Sequence, residues 1–385
     1  MILTKTITVK LDTSKASILP TIVAYTKAFN HVCTVGFNDN NYNKISLHHK
    51  TYQYCRTFLP SQLSCSAKDK ASESLKGINT LKKKGYKISC PKSKQCSIRY
   101  DHNSYNVWLD KKILSISTVN GRQKFNFQTS PNLDQYKDWR RKSAELYIKN
   151  KKVMMGITFE KEVTDSKSSN IIVGIDRGIK KIAVTSNNQF FGGGQVKQVV
   201  QHYRSLRKRL QSKGTQSAKR HLRRLSEKEN RFRQNVNHCV SKQIVNSLSP
   251  GTTIVLEDLT NIRENSQKFR KEQNYWINGW SFFQLESFLK YKAMEKGCFI
   301  DFVDARYTSQ KCSKCGHTER GNRKKQSIFK CKKCSFELNA DLNAARNIKF
   351  NYQDAKGYLG RVPVNEPIVC KSLEKSNALQ APTFR

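Results

Sequence analysis

Residues 171–186, IIVGIDRGIKKIAVTS, decide the reading of this chain. Two apolar runs flank a turn, so the segment reads as the first hairpin of a mixed sheet. The first run closes on Gly174-Ile175-Asp176-Arg177-Gly178, an acid between two glycines. Alone, Asp176 is as readily a turn residue as a ligand. Further along, GTTIVLEDL at 251–259 is a buried-type strand that ends on Glu257-Asp258, and a buried strand does not stop at adjacent acids without a counter-ion. Alternation places Thr253, Val255 and Glu257 on one face and favours Glu257 over Asp258, while periodicity leaves open which face is the inner one. Asp341, in ELNADLNAARNI, opens a helix, where an N-cap is the simple alternative. The combination is harder to explain structurally: one acid on a first strand, one on a later strand and one on a final helix. Such a trio can hold two Mg²⁺ ions about 4 Å apart, one activating water and the other stabilising the leaving oxygen of a phosphodiester.

Between the second and third acids lie two CxxC knuckles, Cys312-Ser-Lys-Cys315 and Cys331-Lys-Lys-Cys334, separated by 15 residues. Four thiolates at this spacing close a tetrahedral shell around one Zn²⁺, and a closed shell leaves no open position, so the metal's role is structural. Gly316 and Ser335 follow the knuckles where a turn needs small residues. His317 is near, but four cysteines already satisfy the ion. Cys33, Cys55, Cys65, Cys90, Cys96, Cys239, Cys298 and Cys370 read as free thiols, which fits a reducing compartment.

The chain has 385 residues, enough for more than one folded unit, and its 71 Lys and Arg against 29 Asp and Glu leave a net charge of +42. The excess extends over almost the whole chain, and nucleic acid is the polyanion it fits. An anionic membrane surface is the alternative. No stretch approaches the roughly 18 apolar residues of a membrane span, and the opening MILTKTITVKLDTSK has no signal-peptide core. A soluble, cytoplasmic protein, nucleoid-associated when bound to DNA, is expected.

Residues 4 to 11 alternate as a strand, residues 15 to 84 show helical spacing at Ile22, Val23, Tyr25, Thr26, Phe29 and Val32, and a basic helix there ends at Gly85. Strand-like runs return as CSIRYD, YNVWLD, ILSIST, QKFNFQT, AELYIKN and KVMMGITFEKE, so one β-barrel-like domain interrupted by a helical one is expected. TDSKSSN, 164–170, reads as a linker. Residues 197 to about 248 are helical and strongly basic, and Leu206, Leu210, Leu222 and Leu225 supply a narrow apolar stripe. A helical hairpin whose outer face meets phosphate through Arg204, Arg207, Arg220, Arg223 and Arg224 is the expectation. A helix with Phe282, Leu285, Phe288 and Leu289 ends at Gly297, CFIDFVDA at 298–305 is a strand, a short helix runs from about Leu342 to Phe350, and residues 351–385 read as a mobile tail.

On GIDRG, VLEDL, YTSQKCSKCG and CKKCSFELNADLNAARNI the chain resembles the TnpB family, transposon-associated RNA-guided nucleases related to type V CRISPR effectors, with the match running over about residues 170–350. The resemblance implies a multi-domain α/β protein. A wedge-like β-barrel domain (1–14 and 96–165) is interrupted by a helical recognition domain (15–95). A RuvC-like, RNase H-like nuclease domain (170–305 and 336–350) follows, with an inserted zinc ribbon (306–335). It further implies Mg²⁺-dependent cleavage of both strands of target DNA, a guide RNA encoded at a transposon end, and a short target-adjacent motif read by the N-terminal half. Asp176, Glu257 and Asp341 match the family's catalytic acids position by position. Asn339-Ala340 departs from the family's usual residues before the last acid. A single protein copy on the RNA is expected. The rival readings are a nuclease-inactive RNA-guided DNA-binding regulator, a strand-transferring transposase and a small type V CRISPR effector.

Overall fold

Alternation in the first strand, β1 (Ile2–Leu11), is realised as an antiparallel pairing with β7 (Lys152–Glu162) that runs from Ile2↔Glu162 to Lys10↔Met154. The computed structural model describes residues 2–129, 133–163, 168–260, 262, 271–279 and 281–356, in two compact units that divide between Asp165 and Ser166.

In the first unit, β1 and β7 lie at the centre of a seven-stranded sheet with β2 (Ile98–Tyr100), β3 (Tyr105–Trp108), β4 (Ile113–Thr118), β5 (Gly121–Gln128) and β6 (Arg140–Lys149), in the order β2-β6-β7-β1-β5-β4-β3. The edge strands β2 and β3 are consecutive in the chain, with only residues 101–104 between them, and Tyr100 Oη donates to the Ser117 carbonyl at 3.1 Å. The expected barrel is therefore a nearly closed sheet.

Helices α1 (Lys15–Asn38), α2 (Lys44–Arg56) and α3 (Ser61–Lys83) are inserted between β1 and β2. Ile18, Ile22, Tyr25, Phe29 and Val32 of α1 are buried, whereas Val23, which helical spacing had grouped with them, is 58% exposed. Helix α3 stops at Lys83 and Gly85 follows in the left-handed conformation at φ +80°. Beyond it the chain runs without helix, and Asn30 holds Ser93 through reciprocal hydrogen bonds of 2.8 and 2.9 Å. Lys70 of α3 reaches Ser97 and Glu145, and Arg99 grips Glu73 through both carboxylate oxygens.

The second unit is built on a five-stranded sheet of β8 (Ile172–Asp176), β9 (Lys181–Thr185), β10 (Phe190–Gly192), β11 (Thr253–Asp258) and β12 (Phe299–Asp304), ordered β10-β9-β8-β11-β12. Strand β8 pairs antiparallel with β9 and parallel with β11, which pairs parallel with β12. Helices α4 (Gly194–Lys213), α5 (Gln216–Asn246), α6 (Lys271–Gly279), α7 (Phe282–Glu295) and α8 (Ala340–Ala355) accompany it, and a small hairpin of β13 (Ile328–Lys330) and β14 (Glu337–Asn339) precedes α8.

Both faces of this sheet are covered, which is why its strands read as continuous apolar runs. Val173, Ile175, Ile254 and Leu256 pack with Val240 and Ile244 of α5 and with Leu285 and Leu289 of α7. The opposite face packs Ile172 and Val255 with Ile348 of α8. Helix α8 continues past the expected start of the tail because Tyr352 still packs on that cluster. Residues 357–385 and the 164–167 part of the expected linker lie outside the described residues, as does Cys370. Among the described residues no helix is long and apolar enough to cross a membrane.

Candidate active site

Parallel register brings the first two acids together. The last registered pair of β8 and β11 is Ile175↔Leu256, and one step beyond it come Asp176, the last residue of β8, and Glu257, the last but one of β11. Alternation sets Ile172, Gly174 and Asp176, with Thr253, Val255 and Glu257, on the face that α8 covers. Glu257 lies on this α8-covered face and is 8% exposed, whereas Asp258 is exposed and accepts from the Thr260 amide at 2.9 Å.

The third acid arrives because α8 lies close on β8. A Cβ at Gly174 would stand 2.2 Å from the Ala345 carbonyl oxygen and 2.7 Å from the Lys349 nitrogen, so only glycine permits this approach. Asp341 sits in the first turn of α8, but it is not the cap. Asn339 caps the helix, its side chain accepting from the amides of Asp341 and Leu342 at 3.1 and 3.2 Å. Asn339 thereby leaves the Asp341 carboxylate available to the site. Ala340 is fully buried against Cys312, Phe329 and Cys331, so the departure at Asn339-Ala340 serves the cap and the packing beneath it.

Three residues that sequence reasoning did not single out complete the surroundings. Thr308 Oγ1 donates to Glu257 Oε1 at 2.6 Å and fixes that carboxylate from the buried side. Arg177, its side chain fully buried, donates from Nη2 to the Glu257 main-chain oxygen at 2.6 Å and pairs through Nη1 with Glu286 Oε2 at 2.9 Å. Arg323, from the segment between the cysteine knuckles, donates from Nη2 to Asp341 Oδ1 at 3.0 Å. No spacing rule marks these residues, because each partner is distant in sequence.

Burial, and then the negative charges of Glu257 and Asp341, push the Asp176 carboxyl up to about 8, against the pull of Arg323 and Arg177. Burial also raises Glu257, with the Thr308 hydroxyl, Arg177 and Arg323 opposing it. Asp176 is thus kept from ionising beside the two other acids, which is the electrostatic condition a divalent cation relieves.

The four cysteines come together as their spacing predicted. Their sulfurs all lie within 4.8 Å of one another, with Cys312 to Cys334 at 3.8 Å and Cys315 to Cys331 at 3.7 Å. A tetrahedron with Zn–S bonds of about 2.3 Å has edges of about 3.8 Å, so the cluster matches a zinc shell in size. The knuckles are built alike. Gly316 and Ser335 both take positive φ, +74° and +56°, and return their amides to the carbonyls of Cys312 and Cys331 at 2.9 and 3.0 Å. His317 pairs instead with Glu319 at 3.2 Å. Burial raises Cys312, whereas backbone amides and neighbouring thiols bring Cys331 down to about 7 in spite of its desolvation. Among the described residues this tetrad is the group of metal-ligating side chains drawn within 4.8 Å.

Helices α4 and α5 are joined at Gly214, in the left-handed conformation, and Thr215, which caps α5. Val200, Tyr203, Ala218 and Leu225 of these helices are buried, while Leu206, Leu210 and Leu222 are only half-buried. Of the expected phosphate-facing arginines, Arg220, Arg223 and Arg224 are exposed and Arg204 lies over the Tyr275 ring at 4.2 Å. Arg207 is turned inward to an ion pair with Glu229, which is 4% exposed and also held by Arg233. The first unit carries a basic groove of about 810 Å³, lined by Trp108, Trp139, Arg140, Arg141 and Lys142, that periodicity did not reveal.

A family model described as Cas12f1-like, TNB domain, matches residues 282–348, and one described as probable transposase matches residues 156–267. The CRISPR-associated endodeoxyribonuclease Cas12f1 of Sulfoacidibacillus thermotolerans is 43% identical over 129 residues, 33% of this chain and 29% of that protein. The putative RNA-guided DNA endonuclease InsQ of Escherichia coli is 31% identical over 215 residues, 50% of this chain and 52% of InsQ. A TnpB-like protein of Methanocaldococcus jannaschii is 28% identical over 239 residues, 59% of this chain and 84% of that protein. The chain spans less than half the length of the Cas12f1 relatives it matches, 29% in one and 45% in another from Syntrophomonas palmitatica. A solved Cas12f1–sgRNA–target DNA complex superposes with a TM-score of 0.60 at 18% identity, over 86% of this chain and 80% of that one, so the fold is Cas12f-like.

Proposed function

We propose that this chain, a relative of the TnpB-like and Cas12f proteins, is an RNA-guided DNA endonuclease whose second unit is a RuvC-type, RNase H-like nuclease carrying a zinc ribbon. The observation that carries the reading is the convergence of Asp176, Glu257 and Asp341, from two strand ends and one helix start, where burial and mutual repulsion hold Asp176 protonated to about 8. Asp176, Glu257 and Asp341 would hold Mg²⁺, whose charge supplies an acidified attacking water and a stabilised leaving oxygen for phosphodiester hydrolysis.

The chain's own residues do the rest. Thr308 holds one oxygen of Glu257 and leaves the other for a ligand. Arg177 locks the end of β11 to β8 and to α7, so the two strand acids keep their register. Arg323 balances Asp341 and adds a positive charge that attracts an anionic backbone. Cys312, Cys315, Cys331 and Cys334 hold one Zn²⁺ that orders the segment bearing Arg323. Guide RNA and duplex target DNA are the partners that the net charge of +42 serves, with the exposed arginines of α5 on their backbones. A transposon end is the proposed source of the guide, and a CRISPR array is the second reading, favoured by the 43% identity to a Cas12f1.

The test is cleavage of a guide-matched duplex in Mg²⁺ by the full chain and by its Asp176→Ala, Glu257→Ala and Asp341→Ala variants. Each variant is expected to retain RNA and lose cleavage by orders of magnitude. A wild-type protein that binds its guided target and never cuts it with any divalent metal would make the DNA-binding-regulator reading correct. Sequencing of co-purified RNA separates the two guide sources.

A further inference from the structure

Two residues past the start of the loop that leaves β12, Tyr307 adopts φ +62°, the left-handed region that a bulky side chain avoids. The turn explains the backbone. The Tyr307 carbonyl accepts from the amides of Gln310 and Lys311, both at 2.9 Å, and the reversal delivers Thr308 to Glu257 at 2.6 Å. Glycine or asparagine would make this turn with less strain. What the turn does not explain is the aromatic ring. It is 63% exposed, and among the described residues it meets no other ring, cation or hydrogen-bond partner. A strained backbone, a ring presented to solvent and direct adjacency to the contact that fixes an acid ligand coincide in one residue.

We infer that Tyr307 is a positioning residue for the cut strand, stacking its ring on an unpaired nucleobase next to the phosphate at Asp176 and Glu257. Every base has a π-face, so such a platform holds a strand without reading its sequence. An unpaired nucleotide with its phosphate at the acids carries a neighbouring base outward, and residue 307 is the exposed neighbour of Thr308, which holds Glu257. The inference rests on the nuclease reading above and adds to it the element that orients the strand.

The experiment uses the full chain with its guide RNA and compares Tyr307→Gly, Tyr307→Phe and Tyr307→Trp. Loss of one stacked base corresponds to roughly a fivefold to hundredfold change. Tyr307→Gly should therefore cut more slowly by that factor while its melting temperature is unchanged or higher, its zinc content is unchanged and its guided binding persists. Phe and Trp should restore cutting. Single abasic nucleotides stepped along the target strand should slow the wild type at one position and leave Tyr307→Gly indifferent there. A readout independent of cleavage is 2-aminopurine at that position in an Asp176→Asn background, quenched with Tyr, Phe or Trp at 307 and bright with Gly. Equal cutting by Tyr307→Gly and wild type, an abasic effect shared by both, or a loss of thermal stability that Phe and Trp do not repair would overturn the inference. If instead acid variants cut like the wild type, the nuclease reading fails, and quenching still reports whether the ring stacks.

Discussion

Arg323 Nη2 donates to Asp341 Oδ1 at 3.0 Å, joining the segment between the two cysteine knuckles to the acid on α8. Arg323 also donates to the Gln326 carbonyl at 2.8 Å, so its guanidinium is held by the same segment that it extends from.

This link predicts that zinc and nuclease sites are coupled. Replacing Cys331 and Cys334 by Ser should release zinc from a content of about one per chain. It should also reduce cleavage about as far as Arg323→Ala does. Because both changes act through Asp341, the combined variant should be little worse than the weaker single one. Metal analysis and single-turnover cleavage of the three proteins check this, and fully additive losses would show that the two sites act separately.

Asp176 has its carboxyl at about 8, against an ordinary 3.8. Between those values the unfolded chain has lost a proton that the folded chain keeps, so stability falls as pH rises from about 4 to 8. Without divalent metal, Asp176→Asn should therefore be more stable than wild type at pH 8, with little difference at pH 4. It should not cut DNA. Thermal melts at both pH values in EDTA test the sign.

Gly174→Ala should lower unfolding free energy by about 1–3 kcal/mol or more, because its methyl group would force α8 off β8. Denaturant titration measures the loss. Cleavage should drop even where folding persists, since displacement of α8 carries Asp341 away from the strand acids.

The basic hairpin contains arginines of two kinds. Changing Arg220, Arg223 and Arg224 to Ala should weaken binding equally for unrelated guides and lower the salt slope by roughly 0.7–0.9 for each phosphate that the wild-type side chains neutralise. Arg207→Ala should instead lower the melting temperature, because it strips one partner from the buried Glu229 carboxylate. Filter binding across salt concentrations, beside thermal melts, distinguishes them.

Local chemistry determined much of this protein. The spacing of Cys312, Cys315, Cys331 and Cys334 set a tetrahedron, since each knuckle is a short turn whose geometry depends on its own few residues. The apolar runs ending at Asp176 and Glu257 marked buried strands, and the 71 basic against 29 acidic residues pointed to a polyanionic partner. Only the tertiary structure decided which face of β11 meets α8 and carries Glu257, because a sheet covered on both sides erases the alternation that would have told. It also assigned the cap of α8 to Asn339, freed Asp341 for the site, and turned Arg207 toward Glu229 and away from phosphate. Arg177, Thr308 and Arg323 became visible only there. Their partners lie 80, 51 and 18 residues away, and a long-range contact leaves no period in the sequence for pattern reading to find.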